Sequence, residues 1–185
     1  MSLIVTDTPL AGLSIVQRHP RGDERGFLAR LFDRAELLAY GWNTAIEQVN
    51  HTHTAQAGTI RGMHYQLPPH AEMKLVSCIR GAVWDVAVDL RQGSPTFLQW
   101  HAERLSADNG RALLIPQGYA HGFQTLTDDV EMLYCHSAPY VPPAEAGLHF
   151  EDVRLGIDWP LPITQVSERD RQHPRLDTAF PGVAL

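Results

Sequence analysis

Short stretches in which apolar and polar residues alternate recur through the middle of the chain. Residues 74–80 and 82–90 show this pattern, with many β-branched residues and Gly81 between them. Such stretches follow one another roughly every ten residues, which is typical of a β-sandwich or barrel. Four further strands are predicted at residues 97–105, 111–115, 122–126 and 130–137. The sequence therefore predicts an all-β protein.

Helical signals are few. Residues 33–40 start with Asp33, contain strong helix formers and end before Gly41, so one short helix is predicted there. Ser167 is a suitable N-cap for a helical turn over residues 167–170. From residue 139 onward the chain is irregular and rich in Pro. We expect residues 139–185 to pack on the barrel, because such a segment cannot bury a core of its own.

Composition narrows the classes of function. The chain has 185 residues, which suits a single domain (residues 1–185) with a full core. Its net charge of −6 argues against general nucleic-acid binding, although a few local cations could hold a small anion. Cys78 and Cys135 do not form a disulfide framework. With no signal-peptide pattern and no long apolar run, a cytoplasmic protein without a membrane partner is expected.

Polar groups of complementary chemistry concentrate near residue 64. His64 is flanked by Arg61 and Gln66, and Lys74 begins the next strand. An imidazole suits proton abstraction beside a carbonyl, and fixed cations suit the enolate that results. If the two strands form an antiparallel hairpin, these side chains meet on one face. Polar groups in a barrel mouth indicate a ligand site, although isolated structural residues are the alternative.

His121 follows a Pro–Gly turn and begins a predicted strand, which opens a metal alternative. Zinc or iron would be held by His64, His121, Glu72 and either His53 or His70. Lys74 argues against this interpretation, because its ammonium would lie near the ion.

Other polar residues are less informative by themselves. Gln48 and Asn50 share one face of a strand, which suits hydrogen bonding to a nucleobase or across an interface. Residues 23–27 are charged and contain a glycine, which is typical of a solvated loop. Tyr134 is a candidate for the acid only if its phenol is buried near His64. Asp170 by itself does not indicate a functional role, because a carboxylate in a late loop is usually solvated.

Seven short segments, taken together in their order and spacing, identify a family more specifically than any single residue does. They are DERGF (23–27), QVNH (48–51), RGMHYQ (61–66), DVAVDLRQGSPT (85–96), IPQGYAHGF (115–123), LGIDWP (155–160) and VSERD (166–170). Their order and spacing resemble the dTDP-4-dehydrorhamnose 3,5-epimerase family, and the resemblance runs from about residue 9 to residue 176.

The resemblance implies a cupin-type jelly roll without a metal or cofactor. It also implies a homodimer in which N-terminal strands within residues 1–50 are exchanged, and a nucleotide-linked 4-keto-6-deoxy-sugar as substrate. His64 would be the base, Asp170 would orient it, Lys74 would stabilise the enolate and Tyr134 would return a proton to the opposite face. The residues that would bind the substrate are Arg25, Phe27, Gln48, Asn50, Arg61, His121, Tyr140 and Glu145.

Several positions depart from the family pattern while the catalytic set is intact. Arg30 stands where the family usually has Glu, and His53 stands where it has Arg. Val49, Cys135 and Pro139 replace the usual Asp, Lys and Tyr. If these positions surround the nucleotide, the nucleotide or the sugar substituents differ from those of the family. A metal-dependent cupin enzyme and a non-catalytic sugar-nucleotide binding module are the competing hypotheses.

Overall fold

The computed structural model describes residues 2–185 as a sandwich of two antiparallel sheets. One sheet has six strands in the order β1 (Ile4–Asp7), β2 (Ser14–Gln17), β10 (Arg111–Ile115), β7 (Lys74–Arg80), β12 (Val130–His136) and β5 (Gln48–Thr54). The other has five strands in the order β13 (Glu145–Gly147), β6 (Ile60–Gln66), β11 (Tyr119–Thr125), β8 (Ala82–Asp89) and β9 (Trp100–Ser106). A separate hairpin is formed by β3 (Arg21–Asp23) and β4 (Gly26–Leu28). The predicted all-β jelly roll is confirmed.

The core lies between the two sheets. Val76 and Met132 from the six-stranded sheet and Val83, Ala87 and Phe123 from the five-stranded sheet belong to one buried cluster. Each of these strands sends alternate side chains into this layer, because successive residues of a strand point to opposite faces. The alternation in the sequence therefore arises from burial of one strand face.

The predicted strands are present, with shifted ends at two of them. β9 begins at Trp100, because Leu98 has a positive φ of 61° and turn hydrogen bonds occupy the preceding residues. β11 begins at Tyr119, directly after the turn that ends at Gly118. The strands β1 to β4 and β13 are only three or four residues long, and their positions were not predicted from alternation.

Both predicted helical segments are confirmed. Helix α1 (Arg34–Leu37) continues as a 3₁₀ turn, and Asp33 caps it by accepting from two backbone N–H groups. Gly41 ends the turn in the left-handed region at φ 96°, a conformation that glycine adopts without steric cost. Helix α2 (Glu168–Arg171) begins after Ser167, whose hydroxyl accepts from the Asp170 N–H at 3.1 Å.

The C-terminal segment packs on the outer face of the five-stranded sheet. Leu155, Leu176 and Val183 lie in a cluster with Val86 and Val88 of β8. This packing buries both faces of β8, which explains why nearly all of its residues are inaccessible. It also brings α2 against β6.

The hairpin of β3 and β4 projects from the sandwich. Phe27 is 75% exposed and Leu28 is 65% exposed, and the Arg25 guanidinium donates to Asp23 on the same hairpin. By contrast, β1 pairs with β2, and β2 pairs with β10 of the same chain. Exchange of N-terminal strands with a second copy stays a prediction. No helix in residues 2–185 is both long and apolar enough to cross a membrane.

Candidate active site

A cavity of about 880 Å³ opens between the two sheets and α2. Its wall combines polar side chains from β5, β6, β7, β11 and β12 with residues 164–171. The predicted residues of the cluster near residue 64, namely Arg61, His64, Gln66 and Lys74, all line it.

The structure corrects how His64 and Lys74 come together. β6 pairs with β11 and β13, whereas β7 pairs with β10 and β12, so the predicted hairpin is wrong. The connection between the strands contains two consecutive prolines, Pro68 and Pro69, and crosses from one sheet to the other. The two side chains therefore face the cavity from opposite sheets.

Two glycines allow the close approach of β6 and β11 beside His64. Gly62 has a φ of 125°, and a Cβ atom there would lie 2.5 Å from the Cα of Gly122. A side chain at either position would push the strands apart. The close contact sets the register in which His64 lies opposite His121.

His64 forms a hydrogen-bonded pair with Asp170, whose side chain is buried. The His64 Nε2 lies 2.8 Å from Asp170 Oδ1, and the Gly62 N–H donates to Asp170 Oδ2 at 3.1 Å. Burial opposes ionisation of Asp170, but the bonds from His64 and Gly62, with the Arg169 cation nearby, lower its pKa to about 2. Asp170 is therefore a carboxylate at neutral pH, suited to orient the imidazole and stabilise its protonated form. Because Asp170 occupies Nε2, the other ring nitrogen of His64, Nδ1, is the one available to a substrate.

The surroundings of His64 differ from the predicted metal set. His53 points outward and pairs with Asp129, and Glu72 is taken by Lys74 and His136. Within residues 2–185 the ligand atoms that come within 4.8 Å of one another are those of His64, Asp170 and His173. The Arg169 guanidinium lies 3.2 Å from His64 Nε2 in the same space, and a fixed cation disfavours a divalent ion there.

Lys74 is buried in the cavity wall opposite His64. Its ammonium pairs with Glu72 Oε1 at 3.2 Å, and the other Glu72 oxygen lies 2.8 Å from His136 Nδ1. Burial opposes ionisation of Glu72, but the His136 hydrogen bond and the Lys74 charge outweigh it and lower the pKa of Glu72. Lys74 thus offers a positive charge whose position is set by a neighbouring carboxylate.

Tyr134 lies in the middle of β12 and is buried against the cavity. Burial raises the pKa of its phenol, so the hydroxyl keeps its proton at neutral pH. The ring meets the His121 ring edge-on at 6.1 Å between centroids. A neutral buried phenol is suited to donate a proton to a nearby carbanion.

His121 has its own carboxylate partner. Its Nε2 lies 2.9 Å from Asp85 Oδ1, and both side chains are almost fully buried. Burial raises the pKa of Asp85, against the lowering effect of His121. His64 and His121 thus lie on adjacent strands, and each has its own carboxylate partner. The two histidines and Asp170 were predicted from the sequence, and Asp85 was not.

Most of the other predicted binding residues are at the cavity. Gln48, Asn50, Tyr140 and Glu145 line it, and the Tyr140 hydroxyl donates to Glu145 Oε2 at 2.7 Å. Arg61 lines it with its guanidinium held by the Thr54 hydroxyl at 2.9 Å. Two predicted residues, Arg25 and Phe27, are on the projecting hairpin and do not line the cavity of their own chain.

Four of the positions that depart from the family pattern, Arg30, Val49, His53 and Cys135, do not line the cavity of the same chain. Whether they affect the choice of nucleotide stays a prediction. Val49 and His53 point outward, because Gln48 and Asn50 take the inward face of β5. Arg30 pairs with Asp33 at 2.8 Å. The remaining substitution on β12, Cys135, is buried in the core on the other face of the sheet.

Several residues of the site were not predicted from sequence. Arg169 pairs with Glu145 and lies beside His64. His136 and Asp85 pair with Glu72 and His121, and Glu72 was expected only as a metal ligand. A signal existed for His136, because it lies two residues after Tyr134 and therefore on the same strand face. No comparable signal marked Asp85, since a polar residue in a strand usually points to solvent.

The chain is similar to known proteins along most of its length. The sequence profile described as dTDP-4-dehydrorhamnose 3,5-epimerase matches residues 7–178. The enzyme of that name from Pseudomonas aeruginosa is 45% identical over 169 residues, which cover 89% of this chain and 92% of that one.

Two solved structures are also similar. The dTDP-4-dehydrorhamnose 3,5-epimerase from Bacillus anthracis, with TDP and PPi bound, is 38% identical with a TM-score of 0.90, covering 95% of this chain and all of that chain (100%). The dTDP-6-deoxy-D-glucose-3,5-epimerase from Legionella pneumophila, in complex with dTDP-4-keto-L-rhamnose, is 36% identical with a TM-score of 0.91, covering 98% of both chains.

Proposed function

The chain belongs to the dTDP-4-dehydrorhamnose 3,5-epimerase family, and we propose that it inverts C3 and C5 of a dTDP-linked 4-keto-6-deoxyhexose. It is an isomerase. The observation that carries the proposal is the arrangement of the cavity: His64 on one sheet is paired with Asp170 of α2, and Lys74 and the buried phenol of Tyr134 are on the other sheet. The non-catalytic binding module accounts poorly for a base, a cation and an acid placed around one space.

The reaction needs a base that removes a proton next to the C4 ketone. In this proposal the substrate C–H bond breaks toward His64 Nδ1, because Nε2 is held by Asp170. The electron pair moves to the ketone oxygen and forms an enolate, which Lys74 stabilises. A positioned base contributes about 10²–10⁴-fold in rate, so stabilisation of the enolate must supply much of the rest.

Inversion requires that the proton return from the other side. Tyr134 is in the opposite sheet from His64, and its phenol keeps its proton at neutral pH. The O–H bond breaks as a C–H bond forms on the far face of the enolate carbon. The tyrosinate then regains a proton and His64 loses one, so the enzyme returns to its starting state.

The proposed nucleotide is dTDP. Gln48 and Asn50 offer amide groups on the cavity wall, and the substituted positions Val49 and His53 point away from it. The nucleotide side of this cavity therefore retains the polar groups expected from the family resemblance. The Bacillus anthracis relative carries TDP in its structure.

The function is tested by following hydrogen exchange by NMR. The enzyme is incubated in deuterated water with a 4-keto-6-deoxyhexose carried on dTDP, CDP, UDP or GDP. We expect deuterium at C3 and C5 and inversion of both centres, fastest with the dTDP sugar. A failure to exchange either hydrogen with every sugar nucleotide would refute the epimerase proposal. Faster turnover of another nucleotide sugar would refute the choice of dTDP alone.

We also propose that the active form is a homodimer in which the projecting hairpin completes the cavity of the second copy. Phe27 and Arg25 are exposed on one hairpin, where, within residues 2–185, Arg25 pairs only with the partly exposed Asp23 beside it and Phe27 is left uncovered by its own chain. Stacking and phosphate pairing are the contacts such side chains offer to a nucleotide.

A complementation experiment tests this arrangement. Arg25→Ala is expected to raise the KM for the dTDP sugar about tenfold or more, because one charge-assisted contact is lost. Mixed dimers of Arg25→Ala with a His64→Asn chain should regain activity, since one of their two cavities is then built from intact residues. Arg34→Ala, which removes a guanidinium from α1, is the matched control and should change neither parameter. The arrangement is wrong if mixed dimers gain nothing over the separate variants.

A further inference from the structure

A directed row of hydrogen bonds crosses the cavity wall from the C-terminal segment to β12. The Tyr140 backbone N–H donates to Gln48 Oε1 at 3.1 Å, and Gln48 Nε2 donates to Asn50 Oδ1 at 2.9 Å. Asn50 Nδ2 then lies 3.3 Å from His136 Nε2. Because an amide nitrogen can only donate, the last contact makes Nε2 of His136 an acceptor.

The row continues from His136 to Lys74. With Nε2 accepting, the ring proton is on Nδ1, which lies 2.8 Å from Glu72 Oε2. Glu72 Oε1 pairs with the Lys74 ammonium at 3.2 Å. The side chains of Glu72, Lys74 and His136 are 9%, 11% and 12% exposed, so water competes little for these contacts.

The strand register explains why one side chain makes these links. His136 on β12 lies directly opposite Lys74 on β7 and opposite Gln48 on β5. It also stacks on Tyr134, with an angle of 25° between the ring planes. His136 is therefore adjacent to the cation, the acid and the amides that the proposed reaction uses.

We propose that His136 is a positioning residue: through Glu72 it holds the Lys74 ammonium at the enolate oxygen and links Lys74 to the amides that face the nucleotide. This inference rests on the proposed function. A lysine side chain has several rotatable bonds, and fixing it before the reaction removes an entropic cost from the barrier. The same row of hydrogen bonds connects the amides at the nucleotide end to Lys74, so nucleotide binding would also act on the position of the ammonium that stabilises the enolate.

Two variants separate hydrogen bonding from packing. His136→Phe keeps a flat ring beside Tyr134 but cannot donate to Glu72. His136→Gln carries an amide that donates to Glu72 and accepts from Asn50. We expect kcat for deuterium exchange to fall about tenfold to a hundredfold in His136→Phe, with KM for the sugar nucleotide nearly unchanged, as for misplacement of a catalytic group. His136→Gln should recover most of the loss. Equal losses in both variants, or none in His136→Phe, would overturn the inference.

A second measurement does not depend on substrate. In the ligand-free enzyme with ¹⁵N-labelled histidine, NMR should show the Nδ1–H tautomer of His136, and Glu72→Gln should alter its Nδ1 signal. An Nε2–H tautomer that Glu72→Gln leaves unchanged would overturn this inference alone. A wild-type enzyme that exchanges neither substrate hydrogen would instead overturn the proposed function and the role of His136 in it.

Discussion

His64→Asn is expected to lower the rate of C3 and C5 hydrogen exchange by about 10³-fold or more, within the range that a general base contributes and near its upper end. Asn is close to imidazole in size and retains an amide that can bond to Asp170, so the pair keeps a hydrogen bond while the basic nitrogen is lost. The rate is measured as deuterium incorporation by NMR, and circular dichroism checks that the fold is intact.

His51→Asn is the matched control for this variant. His51 is an exposed histidine on β5 whose Nε2 lies 2.9 Å from a carboxylate oxygen of Glu131, outside the cavity. The His51–Glu131 pair has the same imidazole–carboxylate contact as His64–Asp170 but does not line the cavity. The His51→Asn control should exchange the substrate hydrogens at the wild-type rate. If His64→Asn also exchanges them at a rate close to wild type, His64 is not the base.

Acid pH separates the two members of the His64–Asp170 pair. The pKa of Asp170 is lowered to about 2, below its ordinary value in an unfolded chain. The pairing therefore stabilises the fold fully above pH ~4, and this contribution is lost as pH falls toward 2. A loss of exchange near pH 5 in wild-type enzyme would accordingly not arise from protonation of Asp170.

Tyr134→Phe is expected to uncouple exchange from inversion. The substitution keeps the ring that contacts His121 and His136 and removes only the hydroxyl. His64 can still remove a proton and return one to the same face, so deuterium should enter at C3 and C5. Formation of inverted product should fall by about 10²-fold or more, because the opposite face has lost its acid.

The control removes a different buried phenol. Tyr119 hydrogen-bonds to the Ala11 carbonyl at 3.0 Å and does not line the cavity. The Tyr119 hydroxyl also accepts from the Arg91 guanidinium at 3.2 Å. Tyr119→Phe should therefore cost about 1–3 kcal/mol of stability, because a hydrogen bond to a charged group is among those lost, and should leave inversion unchanged. If Tyr134→Phe inverts both centres at the wild-type rate, another group delivers the proton.

The relation between sequence and site is clearest at His64. Alternating polarity placed His64 and Lys74 on strands, and turn residues placed the strand ends within a few positions. Alternation contains no information about which strand pairs with which, because every strand of a sandwich buries one face in the same way. The hairpin predicted from proximity in sequence was therefore wrong, although both side chains reach the cavity.

Local sequence patterns could not predict which side chains pair when the two residues are distant in sequence. Asp170 is 106 residues from His64, and only the family resemblance indicated its role. Glu72 and His136 are 64 residues apart, and neither was predicted as a partner of the other. Both pairs form because a strand or a short helix from a remote part of the chain packs beside β6 or β7.

Local periodicity, capping and side-chain chemistry were enough to predict the all-β architecture, the short capped helices and the residue types able to move a proton. Three features depend on how the strands pack: His64 and Lys74 face the cavity from opposite sheets, Val49 and His53 point away from it, and His136 lies between Lys74 and Asn50. The reason is physical: strand pairing and sheet packing are set by the burial of the whole core, and the few polar side chains that this packing leaves facing inward become the site.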